Sequence, residues 1–214
     1  MGSLHSALTT LTGICVLIFV LAWIVGAVYF GLKSQAGLAS WLCGWRSALP
    51  RRVLMIAGVC VLSLPIRYAP HSLWHPLQYW QPELALLGAL LTVASTALLL
   101  WARWILGTMW ASVPTVQEHH ELRTDGPYRL VRHPIYTGLL GLITGGMLAC
   151  GFGVWIVFLA AAAPWLLRRV RIEDDLMARK FGAAYDTYRA RVPALIPWTR
   201  SLRTRAHHTG KKPE

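Results

Sequence analysis

The chain is poor in charged side chains, and poorest in acidic ones. Charged residues make up 14% of its 214 residues, whereas about 25% is typical of soluble globular proteins. Hydrophobic residues make up 55% of the sequence. This composition excludes an ordinary soluble protein and indicates an integral membrane protein. At this length we expect a single membrane domain that covers residues 1–214.

Acidic residues are far outnumbered by basic ones. Nine Asp or Glu stand against 21 Lys or Arg, which gives a formal net charge of +12. A basic excess of this size can mark a nucleic-acid-binding protein. Here, however, the basic residues flank apolar segments and form no separate basic domain. We therefore expect them to orient the chain in a lipid bilayer, and we expect no nucleic-acid partner.

Cysteine is also scarce, with four residues in the chain. Their spacing matches neither a zinc site nor a disulfide framework, so free thiols are expected. Histidine is more frequent, but His119-His120 is the only adjacent pair in the membrane-proximal part of the sequence. We accordingly predict no metal site. The cysteines are Cys15, Cys43, Cys60 and Cys150.

What the chain has instead is long apolar runs. Residues 8–32 and 83–106 each exceed the roughly 20 residues that a helix needs to cross the hydrocarbon core. Residues 53–66 would form a helix of only about 21 Å, but the basic residues around them favour a crossing. Residues 134–149 and 153–167 are separated by a short glycine-containing turn, which predicts a helical hairpin. The expected fold is an all-α integral membrane helical bundle of about five transmembrane helices.

The C-terminal part is strongly basic. From Arg168 to Glu214 there are twelve Lys or Arg and five Asp or Glu, a net charge of +7. By the positive-inside rule this end lies in the cytoplasm, and five crossings then place the N-terminus outside. Apolar residues recur at helical spacing between residues 168 and 190, which predicts a C-terminal amphipathic helix. Residues 203–214 are expected to form a disordered tail.

A polar motif separates two of the apolar runs. Residues 126–138 read GPYRLVRHPIYTG. Gly126-Pro127 favours a turn. Pro134 suits the first position of a helix, where its missing N–H costs no hydrogen bond. His133 then lies at or beside the N-cap, and the start of this helix is a favourable place for an anionic group.

This motif and a second one, RIEDDLMARKFGAAYDTYRARVPALIP at residues 171–197, resemble the isoprenylcysteine carboxyl methyltransferase family. The resemblance covers residues 113–198, which would form the catalytic part. It implies a membrane enzyme that transfers a methyl group from S-adenosyl-L-methionine to a lipophilic small-molecule or lipidated acceptor. A carboxylate of the isoprenylcysteine type is the expected acceptor, and the active site would face the cytoplasm.

The resemblance also implies roles for particular residues. Arg169 and Glu173 are four residues apart and hence on one helix face. Glu173 would bind a cationic or hydroxyl-bearing group of the cofactor, and Arg169 the acceptor carboxylate, through its planar fork of donors. One departure is Asp174, where the family has a second glutamate. The implied cofactor-binding residues are Gln117, His120, Glu121, Leu122, Arg123, Tyr128, His133, Pro134, Ile135, Tyr136 and Glu173.

Other functions stay open on the sequence alone. Membrane sterol reductases, which use NADPH, share a similar Arg-His-Pro segment. A phospholipid or a thiol could replace the carboxylate as methyl acceptor, and a non-catalytic membrane subunit is a third alternative. Binding of the cofactor to the purified protein discriminates the methyltransferase from the reductase and from the subunit. The sequence does not define an oligomeric state.

Overall fold

The first helix, α1, spans Gly2–Lys33 and contains the apolar run predicted at residues 8–32. The structure is a computed structural model that describes residues 2–33, 79–107, 122–153 and 155–197. The predicted apolar run at residues 53–66 and the predicted tail at residues 203–214 therefore lie outside the described residues.

The second helix, α2, spans Pro82–Leu106, close to the predicted run. Pro82 opens the helix, where its fixed φ favours helix entry. Glu83 lies in the first turn, where the helix dipole favours a negative charge. The helix ends before Gly107, whose φ of 52° is a left-handed conformation that glycine adopts at little steric cost.

The predicted helical pair follows the polar motif. α3 spans Pro134–Cys150 and α4 spans Trp155–Phe181. The connection between them contains Gly151, whose φ is 98°. A Cβ placed on Gly146 would lie 3.2 Å from the Trp155 ring. The end of α3 and the start of α4 therefore pack against each other, as expected for a hairpin.

The C-terminal helix differs from the prediction of one helix over residues 168–190. α4 ends at Phe181, and a second helix, α5, spans Ala183–Arg191. Gly182 between them has a φ of 51°. A left-handed residue cannot continue a right-handed helix, so the chain changes direction there. Beyond α5 the backbone of Val192 is extended.

The described residues form helices and the segments that connect them, with no strand among them, so the all-helical fold class is confirmed for this part of the chain. Judged by length and composition, two of these helices could cross a membrane: Gly2–Gly26 within α1, and α2. α3 is apolar but shorter.

The described helices belong to two compact units. The first is made of Met1–Thr96 with Gly141–Ala161, and the second of Ala97–Leu140 with Ala162–Glu214. In the first unit α2 and α3 approach closely through glycines. A Cβ on Gly145 would lie 2.8 Å from the carbonyl oxygen of Gly88 and 2.8 Å from the backbone nitrogen of Thr92. Small residues allow such close approach between membrane helices.

We predict that Gly145→Ala destabilises the protein by about 1–3 kcal/mol, the usual cost of overpacking. The added methyl group would meet backbone atoms, which cannot move aside as a flexible side chain can. Thermal unfolding in detergent, followed by tryptophan fluorescence, measures the loss. Gly13→Ala is the matched control, because a Cβ at Gly13 has nothing within 4 Å. Equal stability of the two variants would contradict the close approach.

Candidate active site

The turn before α3 forms one wall of the candidate site. Gly126 has a φ of 55° and opens a 3-10 helix, Gly126–Arg129, with Pro127 in its first turn. A Cβ on Gly126 would lie 3.2 Å from the Ile105 side chain, so both conformation and space favour glycine here. The amide of Val131 donates to the carbonyl of Pro127. The predicted turn and the predicted helix start at Pro134 are thus both present.

The segment after α5 holds the backbone beside this turn. The amide of Arg132 donates to the carbonyl of Pro193 at 2.9 Å, and the amide of His133 donates to that of Ala194 at 3.0 Å. On the other side, α3 begins with the residue after His133. The backbone of His133 is therefore held by a helix start and by an extended segment that lies about 60 residues further along the chain.

The imidazole of His133 lies between two carboxylates from neighbouring residues of α4. Its Nε2 is 2.8 Å from Oδ1 of Asp174, and its Nδ1 is 3.5 Å from Oε2 of Glu173. The ring stacks on that of Tyr136, with centroids 5.8 Å apart and planes 22° apart. The His133 side chain is only 8% exposed. Both ring nitrogens therefore face anionic partners in a buried position.

Glu173 occupies the more open side of the cluster. The hydroxyl of Tyr136 donates to its Oε1, and Nε of Arg169 lies 3.4 Å from the same oxygen. Nε of Arg169 also donates to the Tyr136 hydroxyl oxygen at 3.3 Å. The side chains of Glu173 and Arg169 are each 24% exposed. These two groups are consequently the charged members of the cluster that a ligand can reach most easily.

Asp174 occupies the closed side. Its Oδ2 accepts a hydrogen bond from Nη2 of Arg132 at 2.8 Å, and its Oδ1 accepts one from the hydroxyl of Tyr185. Each carboxylate in the cluster is therefore matched by one arginine, one tyrosine hydroxyl and one nitrogen of His133. Positive and negative groups alternate along a line of five side chains: Arg132, Asp174, His133, Glu173 and Arg169.

These contacts influence the charges of His133, Glu173 and Asp174, all of which lie outside the segments predicted to cross the membrane. Burial alone would lower the pKa of His133, but its hydrogen bonds with Asp174 and Glu173 outweigh burial and raise the pKa. Burial alone would raise the pKa of Glu173 and of Asp174, but the hydrogen bonds with His133 help to lower both. Burial also raises the pKa of Tyr185, which keeps its hydroxyl a donor. The cluster therefore favours the imidazolium form of His133 and the ionised forms of both carboxylates.

The structure brings together four of the residues predicted from sequence, namely His133, Tyr136, Arg169 and Glu173. Pro134 and Ile135 lie beside them in the first turn of α3. Tyr128 is buried, and its carbonyl accepts a hydrogen bond from the Tyr188 hydroxyl at 2.6 Å. Leu122 and Arg123 lie in the segment before the turn and take no part in the contacts given above. Gln117, His120 and Glu121 lie outside the described residues.

Sequence reasoning missed three members of the cluster: Arg132, Asp174 and Tyr185. Arg132 and Asp174 each adjoin a predicted site residue, His133 and Glu173, so adjacency was a usable signal. Nothing in the sequence pattern indicated that Tyr185 would reach Asp174. Among the described residues, no group of three or more His, Cys, Asp or Glu side chains is arranged to hold a metal ion.

Residues 87–179 match the model of the isoprenylcysteine carboxyl methyltransferase family. This range includes α3 and the part of α4 that carries Arg169 and Glu173. The chain is also 30% identical over 168 residues to the nickel-cobalt-cadmium resistance protein NccN of Alcaligenes xylosoxydans xylosoxydans, covering 78% of this chain and 71% of that protein. The chain belongs to the isoprenylcysteine carboxyl methyltransferase family, which confirms the family predicted from the two motifs.

Two further relatives match a shorter region. The chain is 32% identical over 83 residues to protein-S-isoprenylcysteine O-methyltransferase B of Arabidopsis thaliana, covering 38% of this chain and 42% of that protein. It is 34% identical over 76 residues to methanethiol S-methyltransferase 2 of Bradyrhizobium diazoefficiens, covering 35% of this chain and 28% of that protein. The chain thus spans less than half the length of either methyltransferase.

Proposed function

We propose that the protein is an integral membrane methyltransferase that moves a methyl group from S-adenosylmethionine to a lipophilic acceptor. The acceptor group we propose is a carboxylate of the isoprenylcysteine type. Membership of the family supports the proposal, and so does the Arabidopsis relative that is named for this reaction. The observation that carries it is the charged cluster of His133, Tyr136, Arg169 and Glu173 at the start of α3.

The groups in this cluster fit the proposed cofactor. S-adenosylmethionine supplies a methyl group activated on a sulfonium, and it also carries an ammonium, a carboxylate and ribose hydroxyls. Glu173 offers a carboxylate to a cationic or hydroxyl group, and it is one of the two most exposed charged members of the cluster. The start of α3 offers a helix N-terminus to an anionic group. We place the catalytic part in residues 113–198, with the cofactor-binding residues named from the sequence.

The cluster also fits the demands of the reaction. An acceptor carboxylate oxygen forms a bond to the methyl carbon while the bond from sulfur to that carbon breaks, and no proton has to move. His133, with both ring nitrogens directed at carboxylates, is accordingly not needed as a base. Arg169 would hold the acceptor carboxylate and Glu173 would orient the donor. Positioning and exclusion of water then account for the catalysis.

We further propose five transmembrane helices, with the N-terminus outside and the C-terminus in the cytoplasm. The support is the +7 charge of residues 168–214, together with two helices long enough to cross. Fusion of a reporter that is active only in the cytoplasm should give a signal at the C-terminus and none at the N-terminus. A signal from the N-terminal fusion would refute the five-helix topology.

We predict that His133→Ala and Glu173→Gln each weaken S-adenosylmethionine binding by about 1–3 kcal/mol, the cost of losing a charge-assisted hydrogen bond. Isothermal calorimetry on the purified, folded protein measures the affinity. Asp175→Asn is a matched control, because Asp175 is exposed and follows the two carboxylates on the same helix. Unchanged affinity in both variants would remove these residues from the cofactor site. Binding of NADPH in place of S-adenosylmethionine would favour the reductase instead.

We predict that Arg169→Lys lowers turnover by about tenfold to a thousandfold, or about 1.4–4 kcal/mol of transition-state positioning. Lysine keeps the charge but loses the two-point grip on a carboxylate. Cofactor affinity should change little. Arg168→Lys and Arg171→Lys are controls, since both residues are exposed. Near-normal turnover in the Arg169 variant would argue against a carboxylate acceptor and favour a thiol or an amine.

A further inference from the structure

Asp174 is the least exposed carboxylate of the cluster. Its side chain is 16% exposed, against 24% for Glu173. It contacts His133 through one oxygen and Arg132 through the other, each at 2.8 Å. The hydroxyl of Tyr185 donates to the oxygen that faces His133. Asp174 therefore lies on the side of His133 opposite Glu173 and Arg169, the charged groups that a ligand can reach most easily.

Arg132 connects this carboxylate to the end of α5. Its Nη1 donates to the carbonyl of Arg189 at 3.0 Å and to that of Val192 at 2.8 Å, while its Nη2 donates to Asp174. Carbonyls at the C-terminal end of a helix lack partners within the helix, and here a guanidinium supplies them. The Arg132 side chain is only 7% exposed. The Arg132 guanidinium is thus held by the end of α5 on one side and by Asp174 on the other.

We propose that Asp174, held by Arg132 and Tyr185, is a positioning residue that fixes the ring of His133 and keeps both of its nitrogens protonated. This inference rests on the proposed function, because it gives the cofactor site its supporting contacts. A neutral imidazole has one N–H and can donate to only one of the two carboxylates. With Asp174 in place, Nε2–H is directed to Asp174 and Nδ1–H to Glu173, so Glu173 keeps its orientation toward a ligand.

Each element packed against His133 contributes a charged or titratable side chain. α4 contributes Glu173 and Asp174, α3 contributes the stacked ring of Tyr136, and the preceding residue contributes Arg132. α5 acts through Tyr185, which donates to Asp174. Of these groups only the two carboxylates favour the imidazolium, and Asp174 makes the shorter contact. Loss of its charge should therefore make His133 easier to deprotonate.

The protonation of His133 can be measured without any ligand. The full chain, with isotope-labelled histidine ring nitrogens, is placed in lipid nanodiscs, and the His133 signals are identified by their loss in His133→Gln. We expect Asp174→Asn to lower the titration midpoint of His133 by about one to three pH units. Tyr185→Phe should not lower it, because the charge of Asp174 stays in place. Asp174→Glu should stay near the wild type, and Asp175→Asn should leave the midpoint unchanged.

The affinity for S-adenosylmethionine is measured on the same samples. Asp174→Asn should weaken it by about tenfold, the factor that corresponds to one weakened charge-assisted hydrogen bond. Asp174→Glu should restore most of the loss, which a simple packing defect would not allow. If Asp174→Asn does not fold, Asp174→Ser, which also removes the charge, decides the question.

The two proposals fail in different ways. If wild-type protein does not bind S-adenosylmethionine while the His133 midpoint falls in Asp174→Asn, the positioning role stands and the proposed function falls. If the cofactor binds but the variants that remove the charge of Asp174 titrate His133 as the wild type does, the positioning role is overturned and the proposed function stands.

Discussion

The imidazole of His133, shared between Glu173 and Asp174, is the contact on which the architecture of the candidate site depends. Neighbouring residues on a helix point about 100° apart, so a third group has to lie between two such side chains to contact both. His133 does so because its backbone is fixed by the start of α3 and by the carbonyl of Ala194. Through its backbone and its side chain, His133 thus connects the turn, α3, α4 and the segment after α5.

Charge explains why the cluster needs all its members. Two partly buried carboxylates side by side would repel each other, and a protonated His133 between them offsets that repulsion. Loss of one partner from a fully buried ion pair typically costs about 3–5 kcal/mol, because the other charge stays buried without compensation, and the partial exposure of these carboxylates lowers that cost. When His133 is protonated, Arg132 and Arg169 bring the cluster to three positive and two negative charges. The excess positive charge favours an anionic group at the edge where Arg169 is exposed, which is consistent with a carboxylate acceptor.

The apolar run at residues 83–106 and the turn chemistry at Pro134 predicted two helices, which begin at Pro82 and Pro134 in the structure. The family resemblance led to His133, Tyr136, Arg169 and Glu173. The contact between Asp174 and Tyr185 could not be predicted in this way. These residues are eleven apart, which is about 16.5 Å along a continuous helix and far beyond hydrogen-bond reach. They meet only because Gly182 breaks the helix with a φ of 51°. Hydrophobic spacing continued through that residue, so the pattern indicated one helix where the chain forms two.

The contacts of Asp174 on the closed side of the cluster help to order the groups on the open side before a ligand binds. A site whose polar groups already have internal partners does not have to order them when the ligand binds, and binding is stronger for that reason. Glu173 and Asp174 differ in their surroundings, since Glu173 is the more exposed of the two. Asp174 has a side chain one methylene shorter than glutamate, and Arg132 and Tyr185 reach it from the turn and from α5. Under the proposed positioning role, those contacts hold the ring of His133 in place while Glu173 exchanges part of its own contacts for a cationic ligand.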